Sequence, residues 1–395
     1  MNATATHQSL TRLPVRVIVT LSLGAVFYVH MVDAQTDPSI HEFPIVLNSQ
    51  AAAITAGRDG HLWFTEFNSN RIGRMTVTGT FTEFDAPTLT AGLGHIAADA
   101  DGNLWFAEGV ANQIGRITTS GSVREFHVPT SPGQPSGIVA GLDGNVWFTS
   151  MDGNRIGRVT PDGDITEFPV TTHSASPSGI TVGPDGNLWF TEYAAGQIGR
   201  LVPEAPQAIT EFALPSADAG PAGITIGAAD GALWFTEFRA NQIGRITMDG
   251  TVDEFPVPTA DSQPMDIIAG PDRNVWFTEV RGNRIGRITP DGVITEFSVP
   301  TANSAPTGIT VGPDDNLWFT ELMGDRIGRV GLTGPICLGD CNGDGTVEIG
   351  DLILMVNSLL GTPSATCPMG DADGNGLIDV NEIVVGVNNA IADCP

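Results

Sequence analysis

Trp63, Trp105, Trp147, Trp189, Trp234, Trp276 and Trp318 recur at intervals of 42, 42, 42, 45, 42 and 42 residues, and the chain has no other tryptophan. A period of that length confines the chain to repeat architectures. One unit reads PSGITVGPDGNLWFTEYAAGQIGRLVP from Pro177, followed by ITEF at 209–212. Four short runs rich in Val, Ile, Phe, Trp and Thr are separated by Gly, Pro and Asp, which is strand and turn chemistry. Long amphipathic stretches, which a helical repeat would need, are absent. Four strands in about 42 residues make one blade of a β-propeller.

Counting each strand separately predicts seven blades. The first strand carries Ile54, Ile96, Ile138, Ile180, Ile224, Ile267 and Ile309. The third carries Ile72, Ile114, Ile156, Ile198, Ile243, Ile285 and Ile327. The fourth carries Phe43, Phe84, Phe126, Phe168, Phe212, Phe255 and Phe297. Its first copy precedes the first Trp strand, and its expected last copy, near residue 339, is missing. The segment from Ile40 to Phe43 is therefore expected to supply the outer strand of the final blade, closing the ring.

Within a blade, the tight turns joining strands one to two and three to four must share one face. The more variable connections, such as Tyr193-Ala194-Ala195 and Phe238-Arg239-Ala240, share the other. Function gathers on variable loops held by a rigid scaffold. The Trp strands end in Glu66, Glu108, Glu192, Glu237, Glu279 and Glu321, with Ser150 in the third blade. These carboxylates are expected on the variable-loop face. Glu192, Glu237 and Glu279, with His95, are the candidates for a general base or cation site at the channel mouth. The alternative is that each Glu recurs because it satisfies the same backbone groups or pairs with a recurring Arg, such as Arg74 or Arg116.

The 45 acidic residues outnumber the 18 basic ones, all of them Arg, giving a net charge of −27. That balance excludes nucleic acid and anionic membrane surfaces as partners and suits extracellular life and cation binding. Arg12 and Arg16 precede an apolar run from Val17 to Val32, and Val32-Asp33-Ala34 fits a cleavage site. Residues 1–34 are read as an export signal, leaving a mature secreted, cell-surface or periplasmic protein without a membrane span.

The recurring pattern WFTE, N-x-IGRIT, PDG, TEF-x-VPT and P-x-GIT-x-G-PDG closely resembles the repeat of the virginiamycin B lyase family over about residues 38–331. The resemblance implies a seven-bladed propeller and, in the type member, ring opening of streptogramin B antibiotics by elimination. It also implies magnesium, histidine and glutamate on the channel face. In that family the key histidines follow the Pro of the Pro-x-Gly-Ile segment in adjacent blades, and a Glu precedes one such Pro. Here the residues after that Pro are Ser136, Ser178, Ala222, Met265 and Thr307. Those before it are Gln134, Ser176, Gly220, Gln263 and Ala305. His95 lies one residue later in its blade and lacks the Pro.

Past Arg329 the repeat stops, and two twelve-residue acidic loops follow. The first offers Asp340, Asn342, Asp344, Thr346, Glu348 and Asp351; the second offers Asp371, Asp373, Asn375, Leu377, Asp379 and Glu382. Gly345 and Gly376 stand at the sharp turn of each loop. This spacing wraps hard oxygen ligands around one ion and predicts two bound Ca2+. A helix is expected after each loop. The duplicated loop–helix resembles a dockerin module with EF-hand character, which implies docking on a cohesin-like or other extracellular partner. Cys337, Cys341, Cys367 and Cys394 favour two disulfides whose pairing spacing cannot choose.

The domain reading is thus 1–34 signal, 35–331 seven-bladed all-β propeller, 332–336 linker and 337–395 small helical two-loop calcium-binding domain. The expected function is non-catalytic: a propeller face that binds a small-molecule, glycan or protein partner, with the calcium module tethering or stabilising it. The alternative is a metal-dependent carbon–oxygen lyase acting on a cyclic depsipeptide or related substrate, with Mg2+ in the propeller.

Overall fold

The computed structural model describes residues 38–204, 208–227 and 229–332. Among them, 28 strands, β1 to β28, form seven four-stranded antiparallel sheets, and there is no helix. Blade 4 shows the plan: β14 (Pro177–Val182), β15 (Leu188–Glu192), β16 (Gln197–Leu201) and β17 (Ile209–Ala213) pair in sequence order from the axis outward. No helix among the described residues is long and apolar enough to cross a membrane. The expected export segment 1–34, residues 333–336 of the expected linker and the expected module 337–395, with its cysteines, lie outside the described residues.

The ring closes as the strand count requires. β1 (Ile40–Pro44) pairs antiparallel with β28 (Arg326–Val330), with Ile40 opposite Val330 and Phe43 opposite Ile327. The Glu42 carboxylate accepts the N–H of Thr301 at 2.7 Å and its hydroxyl at 2.8 Å, so the closing strand also grips the connection from blade 6 to blade 7.

The core lies between blades, not within them. Strand alternation puts Leu188 and Phe190 on one side of β15 and Trp189 on the other. Leu188 and Phe190 pack against Trp147, Ile156 and Phe168 of blade 3, while Trp189 packs against Ile224, Leu233 and Phe235 of blade 5. All seven tryptophans are buried. Trp189 stacks on Phe212 at 5.4 Å, and the Arg200 guanidinium lies 5.3 Å above its ring. The indole N–H donates to Asp185 at 3.1 Å, which explains the recurring Asp of the Pro-Asp-Gly turn. The Gly of Ile-Gly-Arg is equally forced: a Cβ on Gly199 would sit 2.1 Å from the Phe190 ring.

Candidate functional site

The channel is built from a repeated irregularity. In blade 4, Pro177 pairs with Glu192 and Ile180 with Phe190, so Ser178 and Gly179 together face the single residue Thr191. The other six inner strands shift register at the same place. A bulge of this kind re-aims the extra residues. The channel cavity is lined by residues of these bulges, at the end of the inner strands nearest the variable loops.

The Thr of the Trp strand locks each bulge to the next. Thr191 Oγ1 accepts the Gly179 N–H at 2.8 Å and donates to the Ala222 carbonyl of blade 5 at 2.7 Å. Thr236 and Thr278 repeat the link to Met265 and Thr307 at 2.8 and 2.7 Å. The inner strands approach so closely that a Cβ on Gly179 would lie 2.3 Å from the Ala222 carbonyl oxygen. This approach is why the second bulge residue is Gly137, Gly179, Gly223 and Gly308 in four blades and Ala53 in another.

Two blades break that column. Blade 2 places His95 there, and blade 6 places Asp266. Both are half-buried and line one cavity of about 30 Å³ with Ala52, Ala222, Met265 and Thr307. Where His95 sits, Ala107 replaces the clamping Thr. Asp266 is held by its own strand and the next blade: Oδ1 accepts the Ile267 N–H at 2.9 Å and Oδ2 the Ile309 N–H at 3.0 Å. Burial pushes this carboxyl above its ordinary range, while the His95 charge and the two N–H groups pull against it.

Of the candidates expected from sequence, His95 reaches the channel. The glutamates do not: Glu192, Glu237 and Glu279 have zero exposure and lie between blades instead of ringing the channel mouth. The reason is period two, which puts Glu192 on the same side of β15 as the core residues Leu188 and Phe190. Each shares its pocket with a second carboxyl from the outer strand of its blade: Glu211, Glu254 and Glu296 respectively. Burial first, and the neighbouring carboxylate second, push Glu108, Glu192, Glu237 and Glu279 up to about 8. The outer carboxylates clasp the preceding blade: Glu254 accepts the Ser216 N–H at 2.9 Å and its hydroxyl at 2.7 Å. Pairing with Arg74 or Arg116 is also corrected, because those guanidinium groups lie over Trp63 and Trp105 at 5.7 and 5.3 Å.

Asp266 escaped the sequence reading, which weighed the residue after Pro and not the one beyond it. Its signal was an acidic side chain in a column otherwise filled by Gly, Ala or His. The calcium candidates Asp340, Asn342, Asp344, Thr346, Glu348, Asp351, Asp371, Asp373, Asn375, Leu377, Asp379 and Glu382 lie outside the described residues. Among the described residues, no three His, Cys, Asp or Glu side chains come together as a metal site.

The variable-loop face above the channel is partly apolar. Phe67, Leu89, Val110 and Met323 are exposed there. Arg239 lies 4.5 Å over the Tyr193 ring and donates to Asp218 at 2.7 Å, fixing one aromatic wall of that face.

The profile of the virginiamycin B lyase family matches residues 28–207 and 204–338. The virginiamycin B lyase of Staphylococcus aureus, with selenomethionine, is 39% identical and superposes with a TM-score of 0.71 over 75% of this chain and 99% of that one. A catalytically inactive histidine-to-alanine variant of the same enzyme with quinupristin matches equally, at 39% identity, a TM-score of 0.71 and 75% and 99% coverage. The WD40 β-propeller domain of Doa1, at 11% identity and a TM-score of 0.61 over 75% and 98% of the two chains, shares the fold alone. No curated protein sequence matches the chain.

Proposed function

The chain belongs to the virginiamycin B lyase family, and from that premise we propose that it is an exported ligand-binding propeller that has lost streptogramin ring opening. One observation carries this reading. At the places where the family resemblance puts histidine, the channel is lined by Ala222, Met265 and Thr307. Gln263 stands before the Pro where that resemblance puts glutamate in one blade. Elimination needs a base to take the proton and an electrophile for the developing charge. Alanine and methionine supply neither. Nor do the residues here make a magnesium donor set: among the described residues, His95 and Asp266 are the only ionisable groups lining that cavity.

The test is incubation of the full chain with quinupristin and Mg2+. Ring opening by elimination yields an isomer, so the readout is chromatographic retention and fragmentation, not mass alone. Intact quinupristin is expected. A ring-opened product above the buffer control would establish the carbon–oxygen lyase alternative.

Residues 337–395 complete the proposal. The loops Asp340–Asp351 and Asp371–Glu382 each bind one Ca2+, and the module tethers or stabilises the propeller against a cohesin-like or other extracellular partner. Support comes from the ligand spacing and from Gly345 and Gly376. Titration calorimetry with Ca2+ is expected to give two ions per chain, and Glu382→Gln to weaken one of them. Fewer than two ions would refute the assignment.

A further inference from the structure

Two ionisable side chains interrupt the small-residue column of the channel, and they line the same cavity. We propose that this channel seats a small ligand through a protonated primary amine, held between the Asp266 carboxylate and the His95 imidazole. This deepens the binding reading above and rests on it only in treating the channel as the ligand site.

Four observations converge. First, the bulge turns both residues toward the axis, where the other five blades present Gly or Ala. A side chain there stands where the other blades bring backbone close to backbone, and blade 2 carries Ala107 where the others have the clamping Thr. Second, Asp266 forms no salt bridge among the described residues, the nearby His95 ring acting on it only from beyond contact distance. Its two N–H contacts at 2.9 and 3.0 Å orient it and leave further lone pairs to accept. A half-buried carboxylate so placed favours a cation. Third, the cavity between these side chains admits a group of water or ammonium size. Fourth, the rest of the wall is apolar or already bonded. Ala52, Ala222 and Met265 suit an alkyl stem, and the Thr307 hydroxyl is within 3.0 Å of the Ala52 carbonyl. A Ca2+ or Mg2+ ion would need about six oxygens, which this wall lacks, and among the described residues no three His, Cys, Asp or Glu side chains come together here. An ammonium needs only a few acceptors: a carboxylate oxygen and, when the imidazole is neutral, a ring nitrogen of His95 supply two.

The experiment uses the full chain and three probes: n-butylammonium, n-butanol with the same stem but no charge, and tetramethylammonium with charge but no N–H. The readout is the imidazole NMR signal of His95, assigned by its loss in His95→Gln. Saturable displacement of that signal is expected with n-butylammonium alone. Asp266→Asn, isosteric but uncharged, is expected to weaken it at least tenfold. Asp266→Gly, which restores the residue that blades 3, 4, 5 and 7 carry at this register, is expected to do the same. That second variant keeps the test decisive if the first fails to fold. No saturable shift, an equal response to n-butanol, or unchanged binding in either folded variant overturns the proposal, whatever quinupristin does.

Discussion

Replacing Glu237 with glutamine should stabilise the protein at pH 8 and leave it nearly unchanged at pH 5. Glu237 has zero exposure, neither of its carboxyl oxygens finds a donor among the described residues, and Glu254 shares its pocket. Burial, reinforced by the Glu254 charge, raises it from 4.5 to about 8. The folded state therefore keeps a proton that the unfolded chain releases near pH 4.5. The stabilisation from that proton is full below pH 4.5 and is lost as pH rises through about 8. Its slope is about 1.4 kcal/mol per pH unit, and the whole interval amounts to at most about 5 kcal/mol. For a propeller of this size, 1 kcal/mol moves Tm by about 2 °C. Glutamine keeps the shape and has no proton to lose. Calorimetric scans of both proteins at pH 5, 6, 7 and 8 should show a Tm gap growing from near zero to roughly 6–10 °C in favour of the variant. A gap that does not change with pH, or a variant less stable at pH 8, would refute the buried proton on Glu237.

Three further outcomes follow from the same geometry. Gly179→Ala drives a Cβ to 2.3 Å from the Ala222 carbonyl and should cost about 1–3 kcal/mol, seen as a Tm loss of several degrees. Thr236→Val removes the acceptor of the Gly223 N–H and the donor to Met265, at 2.9 and 2.8 Å; two orphaned groups should cost about 2–5 kcal/mol by the same assay. Deleting residues 38–44 strips blade 7 of its outer strand and Thr301 of both contacts to Glu42. The deletion is expected to lower Tm sharply and to expose the β28 edge to aggregation, seen by light scattering; an unchanged melt would contradict ring closure.

The blade count and the closure were legible because each strand type recurs often enough to be tallied on its own, and the displaced copy at Phe43 marked the seam. The locations of side chains were legible only where strand period was applied to the end. Glu192 looked like a loop-face residue because it ends its strand, yet counting back by two places it with Phe190 and Leu188, in the wall between blades. Thr191 was passed over as ordinary strand sequence. Its role needs a partner 31 residues away, the Ala222 carbonyl, which no local pattern contains. Asp266 required reading the repeat for its exceptions instead of its agreements.

The pairing of Ile40 with Val330 has a practical consequence. Strand three of a blade starts at the variable loops, so Val330 ends at the opposite rim, and Ile40 begins beside it. Whatever precedes residue 40 or follows residue 330 therefore joins the propeller at one point, on the side away from Met265 and Asp266. A surface or fusion partner joined directly at residue 40 or 330 would start from the rim opposite the channel entrance.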